Sequence, residues 1–260
     1  MDNYLTIIPK ITGQVATLWL ARPKVHNALN DLMIREITDF FTRIEGNDGI
    51  RIIVLRGQGE SFCSGADLQW MKSSFALSPD ENLLECKKLT SLFEQIFSSS
   101  KVVIGVVHGN TFGGGNGLVA VCDLAYCLNE TQFALSETRI GMAAASITPF
   151  LLNKVAASNL KELIFTSRIF DGCEAKTIGL VNQSFSTVEE LELHLQNTTR
   201  TMLENGKNGI IESKQLINRL IMESMASEME NIPELLAKIR VSSEAQEGFS
   251  AFLEKRKPNW

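Results

Sequence analysis

Residues 102–107 read Val-Val-Ile-Gly-Val-Val, apolar at every position. Side chains along a strand alternate between two faces, so such a run is stable only where both faces are covered. Helices above and below a sheet are the layering of an α/β fold. Further strands are expected at 14–20 and 50–55, the latter stopped by Gly57 and Gly59, with short ones at 123–128, 132–135 and 179–184. Asn30 is placed to cap a helix whose apolar face is Met33, Ile34, Ile37, Phe41 and Ile44. A second helix fits 82–98 through Leu84, Leu92, Phe93, Ile96 and Phe97. From about residue 187 glycine becomes scarce and amphipathic helices follow one another to the C-terminus. The expected organisation is an α/β core over 1–187 and a helical region over 188–260.

Charge and cysteine usage narrow the function classes. Thirty acidic against twenty-five basic residues give a net charge of -5, and the longest cationic run is Lys255-Arg256-Lys257. A nucleic-acid surface needs many more cations, so none is expected, although one phosphorylated small molecule remains within reach. Cys63, Cys86, Cys122, Cys127 and Cys173 are scattered and odd in number, without a C-x-x-C pair, and His26, His108 and His194 are far apart. Neither a metal site nor a disulfide framework is expected. Met1 to Lys10 has no signal-peptide pattern, and no apolar stretch reaches the roughly 18–20 residues of a membrane span. The expectation is a cytoplasmic protein with no membrane partner.

Two strand-to-helix turns are rich in small residues. One is Ser61-Phe62-Cys63-Ser64-Gly65-Ala66-Asp67-Leu68, leading into a helix from about Ala66. The other runs from Gly109 to Leu118 and contains Gly113-Gly114-Gly115. Such turns leave backbone N–H groups free to meet an anion, and glycine lets a ligand approach the backbone closely. Three glycines alone are more often a flexible turn than a site. No Gly-Lys-Ser/Thr ending or G-x-G-x-x-G motif marks a nucleotide loop.

Together with Leu135-Ser136-Glu137-Thr138-Arg139-Ile140-Gly141, these loops resemble the crotonase (enoyl-CoA hydratase/isomerase) superfamily. The likeness includes Arg22 to Leu29, Phe62 to Asp67, Gly113 to Leu118, Cys122-Asp123 and Phe133 to Gly141. It continues through Lys161 to Ile164, Glu174 to Val181, Glu247-Gly248 and Phe252 to Arg256. The resemblance implies a spiral of ββα turns followed by C-terminal helices that build trimers, commonly paired into hexamers. It implies an acyl-CoA thioester substrate, with coenzyme A present as part of that substrate and no separate cofactor. It also implies an oxyanion hole from the N–H groups of Ala66 and Gly114, with Glu137 as the proton-handling carboxylate. The nucleotide end of coenzyme A is expected near Lys24, His26, Ala66, Asp67 and Leu68, mostly through backbone. Phe252 and Lys255 would reach it across a subunit boundary, unless Lys255 to Lys257 is only a solvated tail. The helical region carries Leu193, Met202, Ile210, Ile211, Leu216, Ile217, Leu220, Ile221, Met222, Leu235, Leu236 and Ile239, more apolar surface than one flank of the core covers, so part of it is expected at a subunit interface.

One position departs from the pattern. Fully equipped hydratases carry a second glutamate three residues after the middle glycine, and Gly117 stands there. The adjacent Asn116 is offset by one residue and is not taken as its substitute. The run from Leu135 to Phe150 looks like bacterial methylglutaconyl-CoA hydratases of leucine degradation, in which case Arg139 either pairs with a substrate carboxylate or forms a structural ion pair. Three readings stand open: an enoyl-CoA hydratase, a Δ3,Δ2-enoyl-CoA isomerase working with one glutamate, and a noncatalytic acyl-CoA-binding protein.

Overall fold

A computed structural model describes residues 4–222 and 226–259, the side chains of 222 and 226–231 excepted. The strands are β1 (Ile7–Thr12), β2 (Val15–Leu20), β3 (Ile52–Gly57), β4 (Ser61–Cys63), β5 (Val102–Val107), β6 (Asn110–Phe112), β7 (Leu124–Leu128), β8 (Gln132–Ala134) and β9 (Gln183–Phe185). The core helices are α1 (Asp31–Glu45), α2 (Leu68–Ser73), α3 (Pro79–Ser98), α4 (Gly114–Ala120), α5 (Thr148–Leu152), α6 (Ala157–Thr166) and α7 (Gly172–Thr177). Four more follow: α8 (Val188–Glu204), α9 (Lys207–Met222), α10 (Ala226–Arg240) and α11 (Ser243–Leu253).

The main sheet has the order β1-β2-β3-β5-β7-β9, parallel except for the β1–β2 pair. Strands β4, β6 and β8 form a second, parallel sheet. Each of β3, β5 and β7 leads into one of these short strands and then into helix, so the chain winds as successive ββα turns. The α/β expectation therefore holds. Strand β5 is buried along its whole length. Val103 and Val107 join the cluster that holds Phe41, Phe93 and Phe150, while Val102, Ile104 and Val106 face Leu191 and Leu195 of α8.

The differences from the sequence pattern have local causes. Strand β1 carries Pro9, which a central strand would not accept, but β1 is the sheet edge. Helix α3 begins three residues earlier than its apolar pattern, because Ser78 and Glu81 close a capping box ahead of it. Of the strand expected over 179–184 only Gln183 and Ser184 belong to β9. The N–H groups of Leu180 and Val181 both reach the Ala175 carbonyl, so this stretch closes α7 and buries its apolar residues in a turn. Strands β4 and β6 are three residues long, too short for a periodic signal.

Helices α8 to α11 are tied to the core by specific contacts. Thr187 and Glu190 form the capping box that starts α8. The Arg51 guanidinium donates to the carbonyls of Met202, Leu203 and Asn205 at the other end, where carbonyls lack partners and the helix dipole favours a cation. Lys214 of α9 donates to the Lys101 carbonyl and to Asp123, both at 2.7 Å. Helix α10 packs along α3, and α11 packs on the short turn Glu137–Ile140. Gly248 passes that turn so closely that a Cβ there would stand 2.4 Å from the Ile140 carbonyl carbon. The C-terminal helix thus braces the segment that carries Glu137. Among the described residues no helix is long and apolar enough to cross a membrane.

Candidate active site

The first loop is set by a two-residue bridge. Leu29 N–H donates to Gly65 O at 2.7 Å, and Asp67 N–H donates to Leu29 O at 2.8 Å. Backbone groups alternate in direction along an extended segment, so the N–H of Ala66 between them faces away from Leu29. In the second loop Gly114 is the first residue of α4, and its N–H has no intrahelical acceptor. Neither N–H has a protein acceptor among the described residues. Gly65 and Gly113 both have positive φ, +97° and +47°, and a Cβ on Gly65 would stand 3.0 Å from Phe112 O. Glycine at both positions lets the loops come this close. Ala66, Gly114 and Glu137 line one cavity.

Glu137 opens a 3-10 turn that ends at Gly141, and its carbonyl accepts from Met142 N–H at 3.0 Å. The residue is half-buried, but its Oε2 is covered and has no hydrogen-bond partner among the described residues. The carboxyl lies against Gly113, where a Cβ would come 3.3 Å from Oε1. Burial away from water penalises the charged form and pushes this carboxyl up to about 7, with its own backbone N–H offsetting part of the effect. A carboxyl that titrates near neutrality suits proton transfer.

The matching family model, Enoyl-CoA hydratase/isomerase, covers residues 10–260. The chain belongs to the enoyl-CoA hydratase/isomerase family. It is 29% identical to a "Putative enoyl-CoA hydratase" of Thermus thermophilus, over 95% of this chain and 98% of that protein. It is also 29% identical to the peroxisomal "Delta(3,5)-Delta(2,4)-dienoyl-CoA isomerase" of Arabidopsis thaliana, over 100% of this chain and 98% of the other. The crystal structure of an enoyl-CoA hydratase from Mycobacterium avium superposes with a TM-score of 0.88 at 31% identity, covering 100% of both chains. The chain is thus an enzyme of this family, whose named members include hydratases and isomerases.

Within the family, Gly117 is explained by its surroundings. A Cβ at this position would lie 2.3 Å from Ile147 Cγ2 and 2.8 Å from two ring carbons of Phe93. The space a second glutamate needs is filled by apolar side chains. Asn116 is committed elsewhere: its Nδ2 donates to the carbonyls of Thr111 and Ala134, joining β6 to β8. Arg139 does not line the cavity; it is exposed and donates to the Ser167 carbonyl, and it forms no ion pair among the described residues. Both roles considered for it are corrected. In a 3-10 turn the residue two positions after Glu137 lies on a different side.

The residues expected at the nucleotide end separate into two groups. Lys24 and His26 are exposed on a segment whose His26 carbonyl accepts from Ser64 N–H, placing them beside the Ala66 loop. Leu68 is exposed at the start of α2. The Asp67 carboxylate caps α2 through Gln69 N–H and holds Arg22 at 2.8 Å. Burial raises its pKa, but the Arg22 and backbone hydrogen bonds outweigh that and leave it lowered. Its side chain is therefore occupied. Phe252 and Lys255 are exposed at the end of α11, whose main contacts are with α10 and the Glu137 turn. Arg256 between them and the terminus is held by Glu247 and Glu254. Among the described residues no group of three or more His, Cys, Asp or Glu side chains could hold a metal ion.

Sequence reasoning missed Arg240 and Trp70, which also line the cavity. A basic residue in the last turn of an amphipathic helix reads as a solvated charge that complements the helix dipole, so nothing in the pattern singles out Arg240.

Proposed function

We propose that the chain is an enoyl-CoA hydratase that adds water across the 2,3-double bond of an enoyl-CoA. The observation that carries this reading is one cavity holding two unpartnered N–H groups beside a carboxyl that titrates near neutrality. The thioester oxygen accepts from Ala66 and Gly114, which stabilise the enolate charge without reorganising. Glu137 takes a proton from water as its oxygen bonds to C3, and then delivers that proton to C2. The product is the 3-hydroxyacyl-CoA, and the carboxyl is restored. No metal or redox group is needed in this scheme, and coenzyme A enters with the substrate. Lys24, His26, Leu68 and the Asp67 backbone form the near side of the nucleotide site. The likeness around Glu137 favours 3-methylglutaconyl-CoA as the substrate.

A second reading, Δ3,Δ2-enoyl-CoA isomerisation, draws on the absence of space for a carboxylate at Gly117. One carboxylate can move a proton from C4 to C2 without an attacking water. Two absorbance assays separate the readings. The hydratase consumes the conjugated absorbance of a 2-enoyl-CoA, whereas an isomerase creates it from a 3-enoyl-CoA. Formation of that absorbance without hydration of any 2-enoyl-CoA would exchange the two.

The active form is a trimer or a pair of trimers. Leu193, Leu216, Ile217, Leu220 and Leu235 are all about half exposed or more, leaving apolar surface across α8 to α10 that one chain does not cover. Met222 lies outside the described side chains. The number three comes from the resemblance, and closed symmetry is the usual solution for such surfaces. In such an assembly, Phe252 and Lys255 are supplied to a neighbour's nucleotide. Light scattering at micromolar concentration is expected to show a multiple of three chains; a fully active monomer would remove both the oligomer and that contribution.

A further inference from the structure

Arg240 ends α10 and lines the same cavity as Glu137, yet it is only 6% exposed. A guanidinium carries five N–H donors. Among the described residues the only side-chain acceptor is Asn82 Oδ1, 3.1 Å from Nη1, and no carboxylate is within ion-pair distance. Arg22 and Lys214, by contrast, each hold an aspartate, at 2.8 and 2.7 Å. Glu85 is engaged by the Trp70 indole N–H at 2.7 Å. The guanidinium carbon lies 5.5 Å from the centre of the Trp70 ring, and Asn82 is itself fixed by donating to the Ala237 carbonyl. Arg240 is therefore held in place by a ring and an amide, with most of its donors unused and no carboxylate in direct contact among the described residues. A buried cation in that condition is costly unless an anion joins it.

We infer that Arg240 receives a carboxylate at the far end of the substrate's acyl group, so that the preferred substrates are enoyl-CoA thioesters derived from dicarboxylic acids. This rests on the reading that the cavity holds an acyl-CoA. With the thioester oxygen at Ala66 and Gly114, the acyl group shares its cavity with Arg240. The rest of the lining is mostly apolar, including Leu89, Met142 and Ile147. They match a hydrocarbon segment and leave Arg240 as the cation that selects the end group. The planar fork suits a carboxylate bidentately, and the assignment moves the carboxylate contact from Arg139 to Arg240.

Saturated acyl-CoAs test this without turnover. Calorimetry on the full chain should find glutaryl-CoA bound on the order of 100-fold tighter than butyryl-CoA, the fold-change of a lost buried charge pair. Arg240→Gln should abolish that preference while leaving butyryl-CoA affinity close to wild type, and Arg240→Lys should keep part of it. Equal wild-type affinities, or a preference that survives Arg240→Gln, would overturn the inference. So would an equal loss for both ligands in a folded Arg240→Gln protein, since that marks a purely structural residue. If Arg240→Gln does not fold, the wild-type comparison and Arg240→Lys decide. A chain with the binding preference that hydrates neither crotonyl-CoA nor a carboxylated enoyl-CoA keeps this inference and refutes the hydratase reading.

Discussion

Replacing Glu137 by Gln is expected to lower turnover of an enoyl-CoA by about 100- to 10,000-fold while the fold and acyl-CoA binding persist. The amide keeps the size of the side chain but can neither take a proton from water nor return it to C2. The amide also cannot ionise in a site where burial penalises the charged carboxylate, so above about pH 7 the variant should be no less stable than the parent. The pH profile provides an independent check. A base must be ionised, so kcat/KM for hydration should fall as pH drops below about 7, the value to which burial pushes this carboxyl. Stability should move in the opposite sense. The folded chain holds the proton up to about 7, whereas the unfolded chain releases it near the ordinary 4.5. Between those values the folded state binds more protons, so stability falls as pH rises through the window and levels off above it. Glu137→Gln should flatten that slope. Near-normal turnover in the variant, or an unchanged pH profile, would move the proton chemistry to another residue.

What could be read in the sequence depended on how local the cause was. The both-faces-apolar run of β5, the Asn30 cap and the two glycine-bearing loops are written in consecutive residues, and they appear where expected. The juxtaposition of Ala66, Gly114 and Glu137 was legible only through family likeness, because it depends on Leu29 pairing with the first loop and on α11 bracing the third segment. Arg240 was illegible because its meaning comes from what surrounds it. The same residue on a solvated helix end would be an ordinary surface charge. The end of α7 misled for a related reason: Leu180 and Val181 are as apolar as a strand, but a turn buries them just as well.

Gly117 carries the other large expected effect, and the test is whether the missing glutamate can simply be restored. Gly117→Glu is expected to destabilise the protein by about 3 kcal/mol or more and to add no hydratase activity. The first atom of any side chain there would lie 2.3 Å from Ile147 Cγ2 and 2.8 Å from the Phe93 ring. Those groups are fully or nearly fully buried, so they have little room to withdraw. Overpacking a dense core alone costs about 1–3 kcal/mol, and a carboxylate placed against apolar walls without a partner adds to it. For a chain of this size each kcal/mol corresponds to roughly 2–4 °C in Tm, so the melting temperature should fall by about 10 °C. The cause can be isolated by a double-mutant cycle. Gly117→Ala should already destabilise, and Ile147→Ala should lose stability through a cavity, but the two together should cost less than their sum because each relieves the other. Additivity in that cycle would mean that Ile147 is not what excludes a side chain. A stable Gly117→Glu protein with raised hydration activity would go further: it would show that the cavity accepts the second carboxylate, and that its absence alone limits the reaction.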